Sequence, residues 1–364
     1  MRIVVAPDEF AGTLSAVEAA RAISEGWARR APDDALVQVP MSDGGPGFVD
    51  VLHAALGGDL LGVTVSGPYG DPVPGSVLRI GDKAYVESAQ AVGLHLTPPE
   101  DRDAERATSR GVGELLHAAV ASGATRSVVG LGGTATNDGG GGVLAALGAT
   151  ATGGVLDAGP RGLNGITAVD LGAPRALLEG IELVAASDVD NPLAGLLGAT
   201  KNFGPQKGLA DERLVTIDGW LEELAVATDR RTAAQKGAGA AGGIGFALLL
   251  LGAARAPGVD LVADAVGLAG AIGGADLVVT GEGAFDFSSR SGKVPYGVAQ
   301  LAIPALVPCI ALAGEVLVGS REMRTLGIES AYSLVELVGK QLAFDDPAGS
   351  LATLAERVAR SWSR

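Results

Sequence analysis

The 364-residue chain contains a single cysteine, Cys309. One thiol forms no intramolecular disulfide and no Cys-rich metal site, so the fold must stand on its core alone. Cys309 lies in the apolar run Val307-Pro-Cys-Ile-Ala-Leu312, with no basic residue or His close in sequence to lower its pKa, and reads as a buried structural thiol. Aromatic residues are scarce at 4%, against 47% hydrophobic overall, so the core is built from Ala, Val, Leu and Ile, a mix that suits parallel strands covered by helices. Positive charge is short: 27 Lys and Arg face 42 Asp and Glu, a formal charge of −15. That balance repels polyanions, which excludes nucleic acid and an anionic membrane surface as partners. Long hydrophobic runs are missing too. Ile3 to Ala6 stops at Pro7-Asp8, too short for a signal sequence, and Phe246 to Ala254 is broken by Gly252, well below the about 20 residues of a spanning helix. The expectation is a cytoplasmic protein. The 56 glycines follow no fixed period, so neither a collagen-like nor a solenoid architecture applies.

The length exceeds the roughly 250 to 300 residues at which single cores stop growing, and suits two α/β domains. Ile3 to Ala6 is a β-branched run ending at Pro7-Asp8, as a buried first strand would. Ser15-Ala-Val-Glu18 reads as a capping box, followed by Val17, Ala20, Ile23 and Trp27 at helical spacing. Leu36 to Pro40 is a second strand, and the loop Met41-Ser-Asp-Gly-Gly-Pro-Gly47 leads into a helix from about Phe48 to Leu56, completing β-α-β-α. After Gly57-Gly58 the pattern changes to short antiparallel strands around the turn Gly67-Pro-Tyr-Gly-Asp-Pro72. Near Asp276 the parallel pattern returns, with Leu277 to Thr280, a helix from Pro295 to Ala302, Pro308 to Ala313 and a last strand near Ala331. The expected fold is a two-domain α/β protein in which residues 1–62 and 275–364 form a flavodoxin- or Rossmann-like parallel sheet domain. A mixed α/β domain, 63–274, is inserted into it, with the ligand cleft expected between the two.

Four segments could carry chemistry. Gly130-Leu-Gly-Gly-Thr-Ala-Thr-Asn-Asp-Gly-Gly-Gly-Gly142 follows a strand and precedes a helix, so bare backbone N–H groups could face a polyphosphate; a plain Gly-rich turn explains it equally well. The Walker pattern is absent, as is a ribose-binding acid at dinucleotide spacing. Asp-Gly-Gly-x-Gly occurs twice, at Asp43 to Gly47 and Asp138 to Gly142, where an Asp N-cap is the commoner explanation of either copy alone. Ala186-Ser-Asp-Val-Asp-Asn-Pro192 reads as ending a strand with two carboxylates, Asp188 and Asp190, at i and i+2 on the same face, suited to Mg²⁺ or to a base, with an Asx turn before Pro192 as the competing account. Thr280-Gly-Glu-Gly-Ala-Phe-Asp286 continues to Lys293 and reads as one long loop bearing Glu282, Asp286 and Lys293. Phe203-Gly-Pro-Gln-Lys-Gly208 and the cluster Gly237 to Gly245 add Lys207 and a second glycine loop. His53, His95 and His117 read as surface or packing residues.

Taken in order, Ala6-Pro-Asp-x-Phe10, Met41 to Gly45, Gly130 to Gly140, Ser187 to Pro192, Phe203 to Gly208, Gly237 to Gly243, Thr280 to Gly283 and Gly292-Lys293 resemble the glycerate kinase family over nearly the whole chain. The resemblance implies ATP-dependent phosphorylation of D-glycerate to 2-phosphoglycerate or 3-phosphoglycerate, with Mg²⁺ as the nucleotide's counterion, by a monomer or homodimer. Such chemistry is mostly positioning and charge neutralisation. The roles implied are Gly132, Gly133, Thr134, Asn137, Asp138, Lys207 and Glu282 on the nucleotide, and Asp8, Ser42, Asp43 and Gly44 on the acceptor. Asp190, Lys293 and Asp286 are the implied catalytic set, with Asp188 and Asp190 as metal donors.

Four positions depart from the family pattern: Glu9 and Ala11 where the first loop usually carries Ser or Lys and then Lys, Pro46 where the second carries Glu, and Ala284 where the fourth carries Arg. Losing the Arg and gaining Glu9 weakens the attraction for a carboxylate or phosphate, where a charge-assisted contact contributes ~1.5 to 3 kcal/mol. A kinase for another small hydroxy acid or polyol, and a weakly catalytic nucleotide-binding regulator, are the alternatives.

Overall fold

The computed structural model describes residues 1–10, 12–287 and 292–363. Ala11, one of the four departures, lies outside them. The strands, in chain order, are β1 (Arg2–Pro7), β2 (Ala35–Gln38), β3 (Asp59–Ser66), β4 (Pro72–Ile80), β5 (Lys83–Glu87), β6 (Arg126–Gly130), β7 (Thr150–Thr152), β8 (Ala168–Asp170), β9 (Glu182–Ala186), β10 (Ala254–Ala256), β11 (Leu277–Phe285), β12 (Cys309–Val316) and β13 (Ser330–Ser333). They are shared between two compact units. Unit 1 is Met1–Asp43, Asp50–Leu56 and Pro257–Arg364; unit 2 is Gly44–Val49 and Gly57–Ala256.

In unit 1, Ile3, Val4, Val5 and Ala6 are all fully buried, because β1 is central in its sheet and covered on both faces. The sheet order is β13-β12-β11-β1-β2, and every pairing is parallel. Counted within the unit this is 2-1-3-4-5, the flavodoxin-like order, whose switch point falls between β1 and β11. The register there runs Ile3 to Leu277 through Pro7 to Gly281. The helix Ala16–Arg30 opens with the expected capping box: Ser15 Oγ accepts from Glu18 N–H, and the Glu18 carboxylate accepts from Ser15 N–H. Its buried face carries Ile23 and Trp27 and packs on the helix Pro347–Trp362. The two backbones meet at Gly26, where a Cβ would lie 1.9 Å from the Ala352 carbonyl oxygen.

Unit 2 has a mixed six-stranded sheet, β10-β9-β6-β5-β4-β3. β3, β4 and β5 form the expected antiparallel meander, while β5, β6, β9 and β10 are parallel. The helix Arg110–Ala121 packs closely on the helix Gly141–Ala146, since Gly113 leaves no room for a Cβ beside Ala146 and Val143. A small β7-β8 hairpin is separate.

Two local expectations need correction. β11 does not end at Thr280; it runs to Phe285, pairing Ala284 with Glu315 and Phe285 with Val316. Glu282 is therefore a strand residue, not part of a loop with Asp286 and Lys293. Glycines on both strands make the run look like a loop in sequence, yet they serve close approach: a Cβ on Gly281 would lie 2.2 Å from the Leu312 carbonyl oxygen, and one on Gly314 2.3 Å from that of Gly283. Conversely, β9 stops at Ala186, so Asp188 and Asp190 lie beyond the sheet and strand alternation does not set their directions. Among the described residues, no helix is long and apolar enough to cross a membrane.

Candidate functional site

Unit 1 gathers carboxylates where β1 and β11 deliver their carboxyl ends, the position at which open parallel sheets place ligands. Asp8 follows β1, its N–H donating to the Gly281 carbonyl at 2.8 Å, while its Oδ1 accepts from Glu9 N–H at 2.8 Å. Loss of water, then the charges of Asp43, Glu9 and Glu282, hold the Asp8 carboxyl well above the usual carboxylate range, against the Glu9 N–H bond. Glu9 is pushed up to about 7, first by loss of water and then by Asp43. Glu282 is buried on β11 and pairs with Lys293 Nζ at 3.5 Å; Lys293 itself stands at the N-cap of the helix Val294–Ala302. Ser42 is buried and Asp43 half-buried in the segment after β2, which Met41 ties back to β1 by donating to the Pro7 carbonyl at 2.9 Å. Asp286, half-buried, follows Phe285 at the end of β11. A carboxyl poised near neutrality, rather than near 4, is what a hydroxyl acceptor needs in its general base.

In unit 2 the Gly130–Gly133 turn emerges from β6 and is anchored by Leu131 N–H on the Ala186 carbonyl. It is packed against the 44–48 segment. A Cβ on Gly130 would meet the Gly44 carbonyl oxygen at 2.6 Å, one on Gly132 the Gly45 Cα at 2.7 Å, and one on Gly133 the Pro46 Cγ at 2.7 Å. Gly132 and Gly133 nevertheless keep part of their surface exposed, and they present backbone to solvent.

The side chains that follow turn inward. Asp138 is fully buried: Oδ2 accepts from Ser109 N–H (2.7 Å), Ser109 Oγ (2.9 Å) and Gly142 N–H (3.1 Å), and Oδ1 from Gly140 N–H (3.0 Å). Burial raises its pKa against those bonds. Its geometry ties the starts of two helices together. Lys207 is also buried; its Nζ donates to the Thr136 carbonyl at 2.7 Å and to Thr134 Oγ1 at 3.4 Å, and burial pulls the amine down to about 7 against the nearby Asp138 charge. Asn137 donates through Nδ2 to Thr200 Oγ1 at 2.9 Å, while its buried Oδ1 has no hydrogen-bond partner. Thr134, Asn137, Asp138 and Lys207 are thus all buried in the segments after the Gly132-Gly133 turn, with separate partners: Lys207 reaches Thr134, Asn137 reaches Thr200, and Asp138 holds Ser109. The second glycine cluster packs against the first of these segments: a Cβ on Gly242 would lie 1.9 Å from the Thr136 carbonyl oxygen, and Ala241 sits at φ 52°.

Asp190 is exposed and held between two cations, Lys236 Nζ at 2.6 Å on Oδ2 and Arg255 Nη2 at 2.7 Å on Oδ1. The Lys236 bond first, and the Arg255 charge with it, hold its carboxyl below the usual range. A carboxylate stabilised in this way is a weak proton acceptor. Asp188 is half-buried two residues earlier. Among the described residues, no three His, Cys, Asp or Glu side chains are arranged to hold a metal ion.

Sequence reasoning did not select Lys236 or Arg255. Both cations reach Asp190 beyond the carboxyl end of β9. Lys236 immediately precedes the Gly237 cluster, a signal that was available. Arg255 stands on a three-residue edge strand with no local pattern to mark it.

The model of the glycerate kinase family matches residues 3–363. The glycerate kinase of Bacillus subtilis is 38% identical, over 99% of this chain and 97% of its own. The glycerate 2-kinase of Escherichia coli is 40% identical, over 93% of this chain and 92% of its own. A crystal structure assigned as a glycerate kinase 2 from Salmonella typhimurium superposes with a TM-score of 0.81 at 35% identity, covering 99% of this chain and 98% of that one.

Proposed function

The chain belongs to the glycerate kinase family, and on that premise we propose that it transfers the terminal phosphoryl group of ATP to a hydroxyl of D-glycerate, giving 2-phosphoglycerate. The observation that carries this reading is the carboxylate set of Asp8, Glu9, Asp43 and Glu282 at the switch point of a flavodoxin-like sheet, with pKa values of its first two members raised.

In this reading Asp8 takes the proton of the attacking hydroxyl, and Ser42, Asp43 and Gly44 hold the acceptor. Lys293, already neutralising Glu282, supplies the positive charge beside them, and Asp286 borders that side. For the nucleotide, the exposed Gly132-Gly133 backbone offers N–H groups to phosphate oxygens, with Thr134, Asn137, Asp138 and Lys207 buried in the segments that follow it. Arg255 and Lys236 add charge, with Asp190 fixing their positions. Mg²⁺ arrives with ATP as the nucleotide's counterion. Phosphoryl transfer asks little covalent chemistry of a protein, so positioned donors and one base suffice.

The test is a coupled ADP-release assay with glycerate, other hydroxy acids and neutral polyols, followed by enolase. Product consumed by enolase directly is 2-phosphoglycerate; product that needs a mutase first is the 3-isomer and corrects the regiochemistry. One observation favours a second reading. Glu9 adds a carboxylate where the family's first loop usually carries Ser or Lys, a setting less hostile to a neutral polyol than to an anion. Turnover with a polyol and none with glycerate would replace the first reading by the second.

A further inference from the structure

We infer that Glu87 is the positioning residue of the acceptor-side glycine loop, fixing Gly44 to Gly47 through the first amides of the helix Phe48–Leu56. Glu87 is the last residue of β5, in the parallel half of the unit 2 sheet, so its side chain projects at the carboxyl ends of the strands. It is 4% exposed. One carboxylate oxygen accepts from Gly47 N–H at 3.2 Å and the other from Val49 N–H at 3.1 Å.

Those two amides flank the first helical residue and belong to the donors that a helix cannot satisfy by itself. A carboxylate there also meets the positive end of the helix. Ordinary caps are local, within three residues of the amide they serve. Here the cap comes from 38 and 40 residues away, so it is a tertiary tether.

The tethered loop needs one. Gly44 and Gly47 have φ of 94° and 81°, and a segment rich in glycine has the most conformational freedom to lose. The same loop lies against the Gly130–Gly133 turn through backbone and Pro46 contacts too close for any Cβ. Moving it by even an ångström would shift the amides of Gly44 and Gly45, and misplacement on that scale is what positioning catalysis tolerates least.

The kinetic arm of the test rests on glycerate being the acceptor; hydrogen exchange does not. In Glu87→Ala, the KM for glycerate should rise at least tenfold and that for ATP less than threefold, with kcat falling less than the glycerate KM rises. Amides in residues 44–52 should exchange faster. Glu87→Gln, which keeps one acceptor oxygen at the same reach but turns an NH2 donor toward the other amide, should recover part of the loss, and Glu87→Asp, shorter by one methylene, should recover none. If the Ala variant does not fold, the Gln and Asp pair carries the same comparison. Unchanged exchange in 44–52, a glycerate KM within twofold of wild type, or Gln and Asp variants alike would each overturn the assignment. A wild-type protein with no glycerate turnover would sink the proposed acceptor, and the exchange measurement would still decide the role of Glu87.

Discussion

Lys207 Nζ lies 2.7 Å from the carbonyl oxygen of Thr136, so the amine of a fully enclosed lysine supports the backbone of the glycine-rich loop from behind. Its pKa is about 7 in the folded chain against an ordinary 10.5. Between those values the unfolded chain binds more protons than the folded one, so this residue makes stability rise with pH from about 7 to 10. Replacing it with Met should remove that slope, leaving a difference on the order of a few kcal/mol across the window. Urea unfolding of both proteins at pH 7, 8.5 and 10 measures it. The variant should also bind ATP more weakly, because the Thr136 carbonyl loses its donor.

Glu9 has the opposite sign. Its folded pKa of about 7 exceeds the ordinary 4.5, so it favours the folded state at low pH and that contribution is lost as pH rises through 7. Glu9→Gln should be more stable than wild type at pH 8 and closer to it at pH 5. By removing a negative neighbour it should also lower the Asp8 pKa and shift the acid limb of kcat/KM to lower pH. The glycerate KM should fall several-fold. A pH profile with an unmoved acid limb would disconnect Glu9 from Asp8.

Arg255 and Lys236 share Asp190, at 2.7 and 2.6 Å. If they serve the nucleotide, Arg255→Gln should raise the KM for ATP about tenfold, a loss of about 1.4 kcal/mol, while the glycerate KM stays within twofold. Asp190→Asn should leave turnover at least a tenth of wild type, since a carboxylate already bound to two cations is a weak base. Steady-state kinetics with each substrate varied separates the two results.

Gly26 and Leu306 test the frame rather than the chemistry. A Cβ at Gly26 would lie 1.9 Å from the Ala352 carbonyl oxygen, so Gly26→Ala should cost about 1 to 3 kcal/mol or more and lower Tm by several degrees. Leu306 is 91% exposed at φ 57°, closing the helix Val294–Ala302 with bonds from its N–H to Ile303 and from Val307 N–H to Ala302. That is the left-handed position where glycine is usual. Leu306→Gly should therefore stabilise by about 0.5 to 1 kcal/mol with turnover unchanged, as calorimetry and the coupled assay can verify.

Much of this frame could be read from residue patterns. Ser15 and Glu18 announced a capping box, the Ile3 to Ala6 run announced a buried first strand, and the change after Gly58 announced the meander. Local spacing succeeds there because the interactions are local. It failed at Glu282, where strand pairing across to β12 overrides a glycine-rich, loop-like run. It could not orient Thr134, Asn137 and Asp138, because a glycine-rich stretch has no periodicity to say which side chains face solvent. Glu87 and Arg255 stayed hidden for a related reason: the groups they touch are 38 to 65 residues away in the chain.

The neighbours β1 and β11 are joined in register at Ile3 and Leu277. During translation β1 emerges ahead of most of unit 2, yet β11, the strand it must lie beside, emerges only after unit 2 has been made. At roughly 5 to 20 residues per second that interval is on the order of tens of seconds. Unit 2 can settle while β1, paired with β2, still lacks its second neighbour β11, so on the ribosome one edge of that strand waits unpaired through the interval.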